Sequence, residues 1–347
     1  MSQSILGLVQ HSLKGEALSF DQSKAFFAAV VRGEVEPVLL TALLVALKMR
    51  GETADEIAGA AAAMRAAATE FPASVAGAID CCGTGGDGSN TINISSTAAL
   101  VAASMGLPVA KHGNRSVSSQ SGSADLLEQL GINIQMSPAT AAKALSQSNS
   151  SFLFAPLYHA GIKHAMPVRT ALKSRTIFNL LGPLINPAKP DYQLLGVYDP
   201  ALTPVMAQAL QQLGVKAAWV VHGSGCDEIA LHGVTHVSAV TTTGAIEHFE
   251  LTPADFGLPQ ISLSELTGGS PADNAAATLA ILQGTGKTAH NQAVAANVAA
   301  MLHISGSNKE RKDGQKDLKQ LTQSVLEHLA SGQAFSTLTQ LRELSHG

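Results

Sequence analysis

The chain has 347 residues, of which 46% are hydrophobic and only 14% charged, and its formal net charge is −4. This composition is typical of an ordered protein with a sizeable core, and the length predicts about two domains. The negative charge argues against a general nucleic-acid binder, because any polyanion would have to be bound by a local group of residues.

Three further features predict a cytoplasmic protein. The N-terminus lacks the basic and apolar regions of a signal peptide, and no apolar segment approaches the roughly 20 residues that span a bilayer. The three cysteines, Cys81, Cys82 and Cys226, have neither the number of a disulfide framework nor the spacing of a metal site, which favours buried thiols in a reducing compartment. We therefore expect neither a membrane nor a nucleic acid as a partner.

The first 70 residues are predicted to be helical. Ser19 with Gln22, and Thr53 with Glu56, have the spacing of capping boxes that begin helices. Between them lies the strongly apolar segment 39–47. This segment is either a subunit interface or simply buried within one chain, and the pattern does not decide between the two.

From residue 78 onward, short apolar segments alternate with helical ones. The predicted strands are 78–82, 108–111, 132–134, 152–155, 194–197 and 217–222, with two weaker strands at 237–240 and 245–249. The predicted helices between them are 96–105, 125–130, 138–147 and 201–213. This alternation predicts an α/β fold with a mostly parallel central sheet flanked by helices, and a ligand site beyond the C-terminal ends of the strands.

The change from helical to alternating segments also predicts the domain organisation. We expect a small all-helical domain at 1–72 and a large α/β catalytic domain made of 73–167 and 188–347. The intervening segment 168–187 contains a helical stretch and two proline breakers, and we expect it to pack back on the small domain.

A glycine-rich loop within residues 80–97 is the most informative stretch. It places Gly83, Gly85, Gly86 and Gly88 between a predicted strand and a predicted helix. Crowded backbone N–H groups and a helix N-terminus together make an anion site. The loop also carries side-chain oxygens suited to a sugar phosphate and its metal: Asp87, Ser89, Asn90, Thr91, Asn93 and Ser95. The alternative is a polar turn with a helix cap.

A second loop, 111–123, follows the next predicted strand. It contains two fixed cations, Lys111 and Arg115, with five serines and two glycines. Because both cations are expected on a flexible loop at the ligand edge, this loop is predicted to bind phosphate.

A third strand ends in Asp227 and Glu228, which we expect on an exposed loop. Adjacent carboxylates can hold a hard cation such as magnesium, but an Asp-Glu pair is also common in an ordinary helix-starting turn. Arg169 begins a helix after a proline and is either functional or a surface arginine. His159 and His164 are equally open between acid–base groups and loop histidines.

Together these segments resemble the anthranilate phosphoribosyltransferases. The resemblance covers nearly the whole chain in order and rests on Gly83-Thr84-Gly85-Gly86-Asp87, Asn93-Ile94-Ser95, Lys111-His112-Gly113-Asn114-Arg115, Arg169, residues 175–183 and Asp227-Glu228. It implies transfer of phosphoribosyl from 5-phosphoribosyl 1-diphosphate (PRPP) to anthranilate, a step of tryptophan biosynthesis. It also implies a fold of the nucleoside phosphorylase and phosphoribosyltransferase kind, with a homodimer formed through the helical domain.

The resemblance further implies the site residues. PRPP would be bound by Gly83, Gly86, Asp87, Thr91, Asn93, Ile94, Ser95, Ser96, Lys111, His112, Gly113, Asn114, Arg115, Ser116, Val117, Ser118, Ser119 and Ser123. Anthranilate would be bound by Gly83, Asn114 and Arg169, and two magnesium ions by Ser95, Asp227 and Glu228. No residue is assigned as an acid or base, because the anthranilate amine is neutral and nucleophilic at neutral pH.

One departure and two alternatives accompany this interpretation. Residues 158–161 read Tyr-His-Ala-Gly, where many relatives have a proline after the histidine. A pyrimidine nucleoside phosphorylase shares the architecture but would carry a different Lys- and Ser-bearing loop. A non-catalytic nucleic-acid-binding homologue would lose the paired carboxylates and gain a basic face.

Overall fold

A computed structural model of the protein describes residues 4–116, 120–306 and 317–347. The strands are β1 Ile79–Gly83, β2 Val109–Gly113, β3 Ser150–Phe154, β4 Tyr192–Gly196, β5 Ala217–Gly223, β6 Thr235–Val240 and β7 Ile246–Leu251. The α-helices are α1 Ile5–Leu13, α2 Phe20–Arg32, α3 Pro37–Arg50, α4 Ala54–Ala66, α5 Ile94–Ser104, α6 Ser123–Gln129, α7 Pro138–Ser148, α8 Ala155–Tyr158, α9 Met166–Leu172, α10 Phe178–Leu181, α11 Leu202–Gln212, α12 Pro271–Leu282, α13 Thr288–Ile304, α14 Leu318–Ala330 and α15 Ala334–Ser345.

The seven strands form one sheet in the order β3-β2-β1-β4-β5-β6-β7. The pairs among β1 to β5 are parallel, whereas β6 and β7 pair antiparallel at one edge. In the register, Gly83 lies beside Gly196, and Gly196 lies beside Val221. The C-terminal ends of β1, β4 and β5 therefore lie side by side at one edge of the sheet, as parallel pairing with helical crossovers allows. The predicted fold class is confirmed.

Two hydrophobic clusters cover the two faces of the sheet. The larger contains most of α5 and α13, packed against β1, β2 and β3. The other joins the N-terminal helices to one side of β4 and β5 through residues such as Leu195 and Val220. Val168, Ile177 and Phe178 belong to this second cluster, so segment 168–187 packs with α1 to α4. The division into two domains at the stated boundaries stays a prediction.

Local signals placed the N-terminal helices correctly. Both capping boxes form, with Ser19 accepting from the Gln22 N–H and Thr53 from the Glu56 N–H. Four residues of segment 39–47 (Leu40, Leu43, Leu44 and Leu47) are buried within the chain. Among the described helices, none combines the length and apolarity needed to cross a membrane.

The strand predicted at 132–134 is wrong. Ile132 and Ile134 are buried, but they lie in the connection between α6 and α7. Gly131 has a φ of 81°, and the Ile132 N–H donates to the Leu127 carbonyl at 3.0 Å, so the chain closes the end of α6 instead of extending. A short apolar run cannot by itself distinguish a strand from a buried connection.

The three cysteines are free thiols in the structure. Cys81 and Cys226 are buried as expected, but Cys82 is only partly buried. Its thiol lies 3.6 Å from an Asp80 carboxylate oxygen, so its neighbours are polar as well as apolar.

Candidate active site

The glycine-rich loop (residues 84–93) connects the end of β1 to the start of α5. Gly85, Gly86 and Gly88 have φ values of 67°, 76° and 78°, which glycine adopts at low cost. The loop therefore needs its glycines for backbone conformation. It ends at the N-terminus of α5, where the main-chain N–H groups of the first turn face the same sheet edge.

The acidic turn (residues 223–228) follows β5 and lies against this loop. Gly223 and Cys226 exchange main-chain hydrogen bonds of 2.9 and 3.1 Å, which reverse the chain. The turn then packs so tightly on β4 that a Cβ at Gly196 would lie 1.6 Å from the Asp227 carbonyl oxygen. A Cβ at Gly83 would lie 2.0 Å from Asp227 Oδ2. Two strand-end glycines thus make room for the acidic turn.

The two carboxylates of the acidic turn accept hydrogen bonds from the main-chain N–H groups that the sequence predicted to bind an anion. The Gly85 N–H donates to Asp227 Oδ2 at 2.7 Å, and the Ser95 N–H, in the first turn of α5, donates to Glu228 Oε1 at 3.1 Å. The main-chain donors of the loop and of the helix therefore bond to carboxyl oxygens. In this structure those oxygens belong to the protein's own side chains.

Like charges are concentrated at this point. The Asp227 N–H donates to Asp87 Oδ2 at 3.2 Å, which brings Asp87 beside the acidic turn. Burial, and then the charge of Asp87, raise the pKa of Asp227. Burial, and then the charge of Asp227, raise the pKa of Glu228 to about 8. The expectation that both carboxylates are exposed is wrong, because both are partly buried.

This donor set fits a hard divalent cation. Carboxylate and hydroxyl oxygens are the ligands that magnesium prefers, and the three clustered carboxylates of Asp87, Asp227 and Glu228 outnumber the nearby buried cation Lys111, whose charge opposes the burial-driven rise in the pKa of Glu228. In residues 4–116, 120–306 and 317–347, no three His, Cys, Asp or Glu side chains form a ready metal cage. A cation here would therefore take further oxygens from a ligand or from water.

Lys111 is buried inside β2, so the expectation that this cation lies on a flexible loop is wrong, although the strand predicted at 108–111 does end at this residue. Its ammonium donates to the Cys81 carbonyl and, at 3.3 Å, to Ser95 Oγ. The alternation of side chains along β2 turns Lys111 inward, since the strand continues to Gly113. Lys111 therefore stabilises the first turn of α5 through its bond to the Ser95 hydroxyl.

The second loop is held by ion pairs of its own. Arg115 contacts Asp125 at 2.9 Å and bonds to Glu128 in bidentate fashion, and the Ser116 N–H donates to Asp125 Oδ2 at 3.0 Å. Ser123 Oγ donates to the Asn114 carbonyl at 3.1 Å. Gly113 lies so close that a Cβ there would be 2.4 Å from the Ser123 hydroxyl. Val117, Ser118 and Ser119 lie outside the described residues.

The remaining loop residues divide by burial. Ile94 and Ser96 are buried in the core, so any contact with a ligand would come from their backbone. Asn93 accepts from the Asn274 side chain at 2.7 Å and from Ser121 Oγ at 3.1 Å. Thr91 forms an isolated bridge with Thr267. The loop is thereby tied to the start of α12.

Two residues of this site were given no site role from the sequence, although Arg175 begins the segment 175–183 that carries the resemblance. Arg175 donates to the Gly86 carbonyl and stacks its guanidinium 3.9 Å from the centre of the Tyr198 ring. It joins segment 168–187 to the glycine-rich loop. Asn274 was missed because it lies far along the chain, and its only signal is the Gly-Gly-Ser stretch that precedes α12.

His112 and His159 form a buried pair beside the loop. Their ring centres are 5.2 Å apart in an edge-to-face arrangement, and His112 Nδ1 donates to the Gly182 carbonyl at 3.1 Å. Within the described residues, neither Nε2 atom has a hydrogen-bond partner. Burial lowers the pKa of His112 to about 3 and that of His159 to about 4, so both rings are neutral at physiological pH.

This pair predicts a loss of stability at acidic pH. An unfolded histidine titrates near pH 6.5, so below that pH the unfolded chain binds protons that the folded chain refuses, and stability falls as the pH falls towards about 4. Between about pH 6.5 and pH 5, His159→Gln should remove about 2 kcal/mol of this loss. Urea unfolding at both pH values measures it, with the exposed His164→Gln as the matched control. An unchanged pH dependence in His159→Gln would contradict the prediction.

The chain matches two family models along its length. The helical bundle domain of the glycosyl transferase family matches residues 7–68, and the a/b domain of that family matches residues 76–335. The anthranilate phosphoribosyltransferase of Pseudoalteromonas translucida is 55% identical, covering 99% of this chain and 95% of the relative. That of Aeromonas hydrophila is 54% identical, covering 96% and 95%.

Solved structures agree. The crystal structure of anthranilate phosphoribosyltransferase from Thermus thermophilus aligns with a TM-score of 0.90 at 40% identity, covering 98% of this chain and 99% of that one. The enzyme from Saccharomyces cerevisiae, solved in complex with PRPP and Mg, aligns with a TM-score of 0.86 at 27% identity, covering 99% and 98%. Because relatives of more than half identity cover nearly the whole chain, and solved structures of the same family share its fold, the chain belongs to the anthranilate phosphoribosyltransferase family.

Proposed function

We propose that the protein transfers the phosphoribosyl group of PRPP to anthranilate, giving N-(5-phosphoribosyl)anthranilate and diphosphate in tryptophan biosynthesis. The observation that carries this proposal is the meeting of three elements at one sheet edge: the glycine-rich loop, the N-terminus of α5 and the acidic turn. Main-chain donors that already bind carboxylates suit a diphosphate, and carboxylates beside them suit its cation.

The chemical cost of this reaction lies in breaking the bond between ribose C1 and diphosphate. Negative charge grows on the departing group, so the useful protein groups are donors fixed in advance around it. We assign this role to the N–H groups of the glycine-rich loop and of residues 94–96, with the second loop closing over the phosphates. Lys111 acts indirectly, because its ammonium bonds to Ser95 Oγ and the Cys81 carbonyl.

We propose that Ser95, Asp227 and Glu228 hold two magnesium ions together with the diphosphate. Bound magnesium would supply positive charge to the departing diphosphate. The carboxylates then have two roles. Without substrate they accept from the Gly85 and Ser95 N–H groups, and with substrate they release those donors to the phosphates.

Anthranilate is assigned to Gly83, Asn114 and Arg169. The Arg169 guanidinium lies 5.2 Å from the centre of the Phe178 ring, and its one hydrogen bond in the described structure is a weak one to the Met166 sulfur at 3.9 Å. Burial lowers its pKa, so it is a partly desolvated cation that no described carboxylate neutralises. Such a group pairs well with the carboxylate of an aromatic acid.

Arg169→Ala should therefore raise the KM for anthranilate far more than that for PRPP. A charge-assisted hydrogen bond contributes about 1.5–3 kcal/mol, which corresponds to a rise of about 10-fold to 150-fold. Steady-state kinetics with each substrate varied in turn measures this, and Arg32→Ala, an exposed arginine on α2, is the control. Equal effects on both KM values would remove Arg169 from the anthranilate site.

We further propose a homodimer formed through the helical domain, residues 1–72. Leu6 and Leu13 on α1, and Val38, Val45 and Met49 on α3, are exposed apolar side chains of that domain. A patch of this kind supports a partner surface. Val38→Glu with Met49→Glu should shift the sedimentation coefficient to that of a monomer.

The rest of the chain, residues 73–167 with 188–347, is assigned to the catalytic domain. The free thiols of the three cysteines support a cytoplasmic location.

A coupled test decides between the activities. Fluorescence follows the consumption of anthranilate, which should require both PRPP and magnesium. Parallel reactions with thymidine or uridine and inorganic phosphate test for pyrimidine nucleoside phosphorylase activity. Anthranilate consumption without PRPP dependence, or turnover only in the nucleoside reactions, would overturn the proposal.

A further inference from the structure

His222 lies near the end of β5 and is 6% exposed. Its ring makes two hydrogen bonds to the backbone: Nδ1 to the Val197 carbonyl at 2.8 Å, and Nε2 to the Gly225 N–H at 3.1 Å. Because an N–H can only donate and a carbonyl can only accept, Nε2 must be the bare nitrogen and Nδ1 must carry the proton. The surroundings thus fix one neutral tautomer.

These two bonds connect separate parts of the site. Val197 directly follows β4, whose last residue, Gly196, supports the Asp227 backbone. Gly225 is inside the acidic turn, two residues before Asp227. The ring of His222 therefore fixes the position of the acidic turn relative to the end of β4.

The turn needs such support because its backbone is strained. Ser224 and Gly225 have consecutive φ values of 48° and 98°, and a serine in this region is disfavoured. The bonds between Gly223 and Cys226 close the turn but do not tie it to β4. Among the described contacts, the imidazole supplies a directional link from inside the turn to the neighbouring strand.

We propose that His222 is a positioning residue for the metal site: it does not touch metal or substrate, but it holds Asp227 and Glu228 in a binding arrangement through Gly225. This inference rests on the proposed metal role of the two carboxylates. Residues that orient metal ligands from behind typically contribute about 10-fold to 100-fold in metal affinity.

The test is an EPR titration of Mn²⁺ at a fixed concentration of inorganic diphosphate. His222→Leu keeps the side-chain bulk and removes both bonds, so we expect Mn²⁺ affinity to fall by about 10-fold to 100-fold. The matched control is His290→Leu, which removes another buried imidazole, on α13. The control should lose stability but keep its Mn²⁺ affinity within about twofold. The KM for anthranilate should be unchanged in both.

Three results decide the matter. An affinity of His222→Leu within about twofold of the parent, or an equal loss in His290→Leu, overturns the positioning role. If His222→Leu fails to fold, His222→Asn replaces it, because its shorter amide can donate to Val197 but cannot reach Gly225, and the same loss is expected. Asp227→Asn with Glu228→Gln tests the proposed function separately: unchanged Mn²⁺ binding there removes the metal assignment itself.

Discussion

Replacing Asp227 by Asn and Glu228 by Gln together is expected to abolish the magnesium response of the reaction and to stabilise the ligand-free protein. Amides keep the shape of the two side chains and can still accept from the Gly85 and Ser95 N–H groups. They carry no charge for a cation, so we expect kcat to fall by at least about 100-fold. Removing the repulsion from Asp87 should add on the order of 1–3 kcal/mol to the free energy of unfolding at alkaline pH.

The pH dependence gives this prediction a definite sign. A carboxyl group whose pKa is higher in the folded than in the unfolded chain binds more protons when folded, so stability falls as the pH rises towards the folded pKa. For Glu228 the window runs from its ordinary 4.5 to about 8. Between about pH 7 and pH 8, above the titration of unfolded histidines and below that of unfolded cysteines, the parent should lose more stability than the double variant.

Thermal unfolding in EDTA, and kinetics at varied magnesium concentration, measure the two effects. Glu247→Gln with Glu343→Gln removes the same net charge from exposed positions and is the control. A double variant that kept the parent's magnesium response would return the Asp-Glu pair to an ordinary turn. One that was less stable than the parent at alkaline pH would show that repulsion does not dominate at this site.

Gly196→Ala is expected to be nearly as damaging to catalysis, although Gly196 carries no chemistry. The added Cβ would lie 1.6 Å from the Asp227 carbonyl oxygen and 2.4 Å from its carbonyl carbon, and both are backbone atoms that cannot rotate away. The acidic turn must therefore shift. A displacement of about 1 Å in a reacting assembly can lower kcat about 100-fold, and overpacking costs about 1–3 kcal/mol of stability.

Gly182→Ala is the matched control for that substitution. It adds the same methyl group at a helical φ of −47°, where no atom outside its two chain neighbours lies within 4 Å of the new Cβ. Because a Cβ before Pro183 disfavours the helical conformation, we expect a small loss of stability but a kcat close to that of the parent. Steady-state kinetics and urea unfolding of the two variants give the comparison, and equal behaviour would mean that the acidic turn is not seated on β4.

Much of the fold followed from local signals. Capping boxes at Ser19 and Thr53 involve residues three positions apart, so the sequence contains the whole interaction. The strands of the parallel sheet were visible as buried apolar segments between helical ones. The strand predicted at 132–134 failed because its two isoleucines are buried by the surrounding helices without pairing, which periodicity cannot show.

The chemical character of the site was also readable. Glycines dense enough to need positive φ, a cationic segment after a strand and paired carboxylates each indicated a polyanion with its cation, and the resemblance supplied the substrates. The sequence determined which residue types stand at the end of each strand. It did not determine which atoms they would meet.

Tertiary structure decided those contacts, because the order of strands in the sheet brings together residues that are remote in the chain. Gly85 and Asp227 are 142 positions apart, yet their hydrogen bond is 2.7 Å long. Lys111 was expected on a loop, but the continuation of β2 turned it inward to support Ser95. Arg175 and His222 acquired their roles only when segment 168–187 and the end of β4 came beside the two loops. Each contact depends on the register of the sheet. Parallel pairing brings the C-terminal ends of neighbouring strands side by side, although the residues at those ends are far apart in the sequence.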